Sequence, residues 1–136
     1  MSELVAAMPF AERLGLRVEA ASKNEVRGAL DWAEGLCTVG GVLHGGALMA
    51  AADSVGALCA YLNLPEGATT ATIESKTNFF RAVRGGTVSL LATPLHVGRT
   101  SIVVQTDVRD EAGKRVALVI QTQAVQVSGA ELIKRG

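Results

Sequence analysis

A layered α+β fold, one long helix covered by an antiparallel sheet, is what this sequence predicts. Three observations carry that prediction. Residues 44–62 form one Ala- and Gly-rich apolar segment of helical length. After residue 68 the hydrophobic period switches to two, the period of a strand with one buried face. The four period-two runs that follow are separated only by short, mostly Gly-containing breaks, which leaves one helix for one sheet to cover.

Taken in order, residues 3–13 read as a short amphipathic helix that Pro9 bends or splits, since an internal proline removes a backbone hydrogen bond. Residues 16–32 favour extended chain, clearest where Val26, Gly28, Leu30 and Trp32 alternate with Arg27, Ala29 and Asp31. A loop over 35–43 leads into the helix, which runs over 44–62 and is closed by Pro65-Glu-Gly67. Strands follow over 69–80, 87–97, 101–109 and 115–127. Gly85-Gly86 makes the first turn, Gly98 breaks the next run, and Asp110-Glu-Ala-Gly113 is a hairpin loop. In the third of these strands Ile102, Val104, Thr106 and Val108 share a face.

With 136 residues the chain fits a single domain, 1–136, long enough to bury a core. Acidic and basic residues cancel to a formal net charge of zero, so neither a nucleic-acid surface nor a charged tail is indicated. The longest apolar run is interrupted by Asp53 and falls short of the ~18 residues of a membrane span. The N-terminal segment has neither the basic start nor the unbroken apolar core of a secretion signal. Cys37 and Cys59 lack metal-ligand spacing and read as reduced thiols. A cytoplasmic globular protein without a metal, nucleic-acid or membrane partner is expected.

Asp53 is the anomaly. It interrupts Val42-Leu-His-Gly-Gly-Ala-Leu-Met-Ala-Ala-Ala-Asp53, and the helix around it has no polar face wide enough for water. A helix apolar all round is a buried one, and an ionised carboxylate buried without partners costs several kcal/mol or stops being ionised. No basic residue in the helix can pair with it. It is either catalytic or neutralised by a buried partner elsewhere.

The HGG sequence, an acid nine positions after its His, the strand end Thr77-Asn-Phe-Phe-Arg-Ala-Val-Arg-Gly-Gly86 and the Gly98-Arg99-Thr100 turn together resemble the hotdog-fold thioesterases. The similarity is closest to the PaaI-type and 4-hydroxybenzoyl-CoA thioesterases, and covers residues 14–127. It implies a sheet wrapped around a central helix and an acyl-CoA substrate, with no metal or cofactor. Asp53 maps to the general base or nucleophile, and the Gly45 N–H to the donor for the thioester oxygen. His44 would bond the preceding loop and hold that amide in place, with acid–base chemistry or a plain helix cap as the alternatives, and the two glycines admit the acyl group. Thr38 stands where members usually carry Asn or Gln, and Thr72 matches a hydroxyl that orients water. Arg81 and the Arg99-Thr100 turn correspond to contacts with the nucleotide end of CoA. Arg84 and His96 read as surface and strand residues.

One geometric consequence comes from spacing. Gly45 and Asp53 are eight residues apart, roughly 12 Å along a helix and about 800° around it. One thioester cannot touch both from a single helix, so two chains must share each site. A homodimer is expected from this spacing, and the resemblance implies a homotetramer built from it. Two other readings stay open. One is a non-catalytic acyl-CoA sensor, to which Thr38 lends support. The other is a hydratase or dehydratase, for which no second His is placed.

Overall fold

The computed structural model describes residues 1–127; residues 128–136 of the expected domain lie outside the described residues. Pro9 does split the N-terminal segment, into α1 (Ser2–Ala6) and α2 (Pro9–Leu14). The proline sits in the first turn of α2, where its missing N–H costs nothing. Gly15 ends α2 at φ 82°, a left-handed conformation that favours glycine.

The extended stretch resolves into two strands, β1 (Arg17–Ala21) and β2 (Val26–Asp31). Ser22 turns the chain between them: its hydroxyl accepts from the Asn24 and Glu25 N–H groups. The long helix, α3, spans Gly45–Tyr61. Four strands follow: β3 (Thr69–Phe79), β4 (Thr87–Val97), β5 (Ser101–Arg109) and β6 (Arg115–Gln126). All six strands form one antiparallel sheet in the order β1-β2-β4-β5-β6-β3.

The order corrects one expectation. Gly85-Gly86 does turn, with Gly86 at φ 75°, but it does not join neighbouring strands. β3 pairs with β6 at the sheet edge, and the chain over 80–86 crosses to β4 on the other side of β5. Three backbone bonds pin that crossing: Phe80 N–H to Val116 O, Leu43 N–H to Val83 O, and Trp32 N–H to Gly86 O. A turn signal marks a change of direction and cannot say which strand receives the partner.

The sheet curves over α3. Ala51, Ala52, Val55, Cys59 and Ala60 on the helix are fully covered, as are Ile102, Val104, Thr106 and Val108 on β5. Each such valine or isoleucine is worth about 1.5–3 kcal/mol of burial. Close approach depends on small residues: a Cβ on Gly28 would lie 2.8 Å from Val55 Cγ1. The sheet leaves one stripe of α3 uncovered. Gly46, Met49, Asp53, Ala57 and Tyr61, spaced at three to four residues, are partly or fully exposed, so the helix is not buried on every side. Among the described residues no helix is long and apolar enough to cross a membrane.

Candidate active site

The start of α3 is built by two glycines and a histidine. His44 has extended backbone (φ −63°, ψ 134°), and its Nδ1 accepts the Gly46 N–H at 2.7 Å. The ring therefore caps its own helix, one of the readings the sequence left open, and among the described residues makes no bond to the preceding loop. The loop is tied by backbone instead, His44 N–H donating to Leu36 O at 2.9 Å. The indole of Trp32 adds a bond to Gly41 O at 2.9 Å. Both glycines lie close against side chains of the same chain. A Cβ on Gly46 would lie 2.9 Å from His44 Nδ1, and one on Gly45 would lie 3.0 Å from Phe79 Cζ.

Among the described residues no acceptor meets the Gly45 N–H. It is one of the first amides of the helix, with no partner inside it and the positive end of the dipole behind it. In front lies a cleft of about 380 Å³ lined by Thr38, Leu48, Phe79 and Arg81. Three of the residues singled out in the sequence, Thr38, Gly45 and Arg81, thus share one cleft. Phe79 joins them with its ring against Gly45.

Asp53 stands farther along α3 on the uncovered stripe. Its Oδ1 accepts from Gln121 Nε2 at 2.9 Å, and the Thr72 hydroxyl lies 2.8 Å from it, with its one proton shared with Gln123 Oε1 at 2.5 Å. Thr72 is therefore brought to Asp53, and both partners are neutral donors from the sheet. A bulge between Thr72 and Glu74 makes this possible. It puts Thr72, opposite Gln123, on the same inward face as Ser75, opposite Gln121. The glutamines escaped the sequence reading. Their signal was there: alternation places Gln121 and Gln123 inward with Ala117 and Val119, on an otherwise apolar face.

A profile of the thioesterase superfamily matches residues 40–117, more than half of the chain. The chain belongs to the thioesterase superfamily. Among its relatives, the proofreading thioesterase EntH of Cronobacter sakazakii is 37% identical over 75 residues, 55% of either chain. A Haemophilus influenzae relative is 43% identical over 74 residues, 54% of either chain. The chain thus spans about half the length of these curated relatives. The solved structure of a Haemophilus influenzae thioesterase superposes with a TM-score of 0.81 at 32% identity, covering 85% of this chain and 81% of that one. A mutant thioesterase from Pseudomonas aeruginosa superposes with a TM-score of 0.87 at 27% identity, covering 92% of each. The α+β hotdog fold is that of these structures.

In this superfamily member the candidate CoA contacts do not gather in one chain. Arg81 follows the Phe79 end of β3, beside Gly45. The Arg99-Thr100 turn sits at the other end, where Thr100 O accepts from the N–H of Val125, the residue opposite Thr70. An eleven-residue strand separates the two ends by roughly 30 Å. Within the chain the residues fall into two groups, Gly45 with Thr38 and Arg81, and Asp53 with Thr72 nearer the Arg99-Thr100 turn. Farther along α3, from one turn past Asp53, an apolar hollow of about 410 Å³ is lined by Leu4, Met8, Ala57, Tyr61 and Thr70. Cys59 takes no part: burial pushes its thiol up to about 11, and it is fully covered.

Proposed function

We propose that the protein is an acyl-CoA thioesterase acting as a homodimer, each site joining the Gly45 half of one protomer to the Asp53 half of the other. The observation that carries this reading is the uncovered stripe of α3, apolar apart from Asp53. A second copy of the helix is the surface that completes it, and pairing about a two-fold axis creates two equivalent sites. In each, the thioester oxygen faces the Gly45 N–H, where one donor to a developing oxyanion is worth roughly 100- to 1000-fold. Asp53 takes a proton from water as the water attacks the carbonyl carbon, or attacks it directly. The carbon–sulfur bond then breaks and CoA leaves as a thiolate. In the direct route the acyl–Asp53 anhydride so formed is hydrolysed by water, which releases the acid and restores the carboxylate.

The hollow beside Ala57 and Tyr61 suits an aryl or medium-chain acyl group, with Arg81 and the Arg99-Thr100 turn serving the nucleotide. Exposed Leu95, Val97 and Ile120 support a further association into a homotetramer. Incubating the protein with a panel of aryl- and medium-chain acyl-CoAs and following free thiol is the direct test. Thiol release is expected. Tight binding of the same thioesters without release would instead identify a sensor, the reading that Thr38 favours.

A further inference from the structure

Two glutamines on the inward face of β6 are as anomalous as the aspartate they approach. Gln121 and Gln123 are buried, and burying an amide without partners costs roughly 1–3 kcal/mol. Gln123 Nε2 donates to Thr70 Oγ1 at 3.2 Å. Gln121 Nε2 meets Gln123 Oε1 at 3.2 Å and Asp53 Oδ1 at 2.9 Å. A carboxylate only accepts, so the Gln121 amide must turn its nitrogen toward Asp53 and its oxygen away. That oxygen finds no donor. It rests against Gly56, where a Cβ would lie 2.1 Å from it. Thr72 reaches the same carboxylate oxygen. The single Thr72 hydroxyl proton is shared with Gln123 Oε1 at 2.5 Å. Gln121, with two amide protons, is thus the donor committed to Oδ1, and among the described residues Oδ2 carries no protein bond.

We infer that Gln121 is a positioning residue for the thioester reaction. Its amide fixes Oδ1, with the Thr72 hydroxyl shared between that oxygen and Gln123 Oε1, so that Oδ2 is the oxygen presented to water or to the thioester carbon, and Gly56 is the gap that admits the amide. The inference rests on the proposed role of Asp53. Neutral donors orient the carboxylate without setting a cation beside it, which would weaken it as a base. A displacement of about 1 Å in a reacting group can cost on the order of 100-fold in rate, so the grip on Oδ1 bears on turnover and not on substrate affinity.

Four variants test this, each checked for folding by circular dichroism and assayed by thiol release. Gln121→Met keeps length and bulk while removing both the donor and the unpartnered oxygen. Its kcat should fall about 10- to 100-fold with KM changed by no more than about twofold. Gly56→Ala should reproduce that loss with Gln121 still present, by driving the amide off its seat. Gln121→Glu gives a distinct signature. Its acid form can donate to Asp53 and its ionised form cannot, and the other groups bonded in the cluster (Thr70, Thr72, Gln123) are neutral. Activity should therefore survive on the acid side and decline as pH rises. In the Asp53→Ala background, Gln121→Met should cause no further loss.

A folded Asp53→Ala protein with wild-type turnover, or a wild type that releases no thiol, overturns the catalytic reading and this inference with it. If Asp53→Ala is inactive while Gln121→Met matches wild type, the positioning role alone is overturned. A loss in Gln121→Glu that is equal at every pH overturns it in the same way.

Discussion

Asp53 has one carboxylate oxygen held by Gln121, with the shared Thr72 hydroxyl in reach, and the other without a protein bond among the described residues, an arrangement that suits the base proposed for it. Replacing it with alanine should lower kcat by at least ~100-fold, the lower range of general-base catalysis. Circular dichroism and Tm should stay near wild type. Near-normal turnover by a folded Asp53→Ala protein would refute the assignment. This residue was legible in the sequence because a charge inside an apolar helix is a visible conflict. The same conflict at Gln121 and Gln123 was less visible, because a strand mixes polar and apolar residues by design and only register says which face each occupies. His44 was legible as a residue of the helix start. Which group its ring would bond was not, since that depended on a rotamer allowed by the missing Cβ of Gly46.

Among the elements, the helix and the later strands could be read nearly to their ends because each carries a long, consistent period. Pairing could not: β3 lies against β6, and the bulge that turns Thr72 and Ser75 to one face leaves no mark on local pattern. The β5–β6 hairpin, by contrast, has its own electrostatic clasp. Asp107 accepts from Arg109 Nε and Arg115 Nε, each at 2.9 Å. Partial burial pushes the Asp107 carboxyl up, but bonds to Arg115 and Arg109 outweigh it and hold it below the ordinary carboxylate range. A lowered value in the folded state stabilises the fold above the unfolded-state pKa of about 3.9. That contribution is lost as pH falls through the folded-state value. Asp107→Asn should therefore lower Tm at pH 7 by roughly 2–4 °C, as for a loss of about 1 kcal/mol in a domain of this size. The gap to wild type should close as pH falls below about 4. A gap that persists unchanged into acid would show that the clasp acts through packing and not through charge.

At the scale of the whole molecule, a single protomer is an incomplete catalyst if the proposed site is right, and that makes two inactive variants complementary. One is Asp53→Ala. The other is Gly45→Pro, which removes the N–H facing the cleft. The position tolerates proline: it is the first residue of α3, and His44 before it already has the extended backbone that a following proline requires. The ring would crowd Phe79, so Gly45→Ala, which adds a Cβ but keeps the N–H, measures the steric part separately. In a mixed dimer one site receives both lesions and the other receives neither. Random exchange makes about half of all dimers mixed, each with one intact site of two, so activity should recover to roughly a quarter of wild type. The variants are unfolded and refolded together, exchange is confirmed by mass, and thiol release is compared with each variant refolded alone. Confirmed mixed dimers with no recovered activity would mean that Gly45 and Asp53 serve one site from the same chain, against the roughly 12 Å of helix between them, or that the Gly45 amide is not the oxyanion donor.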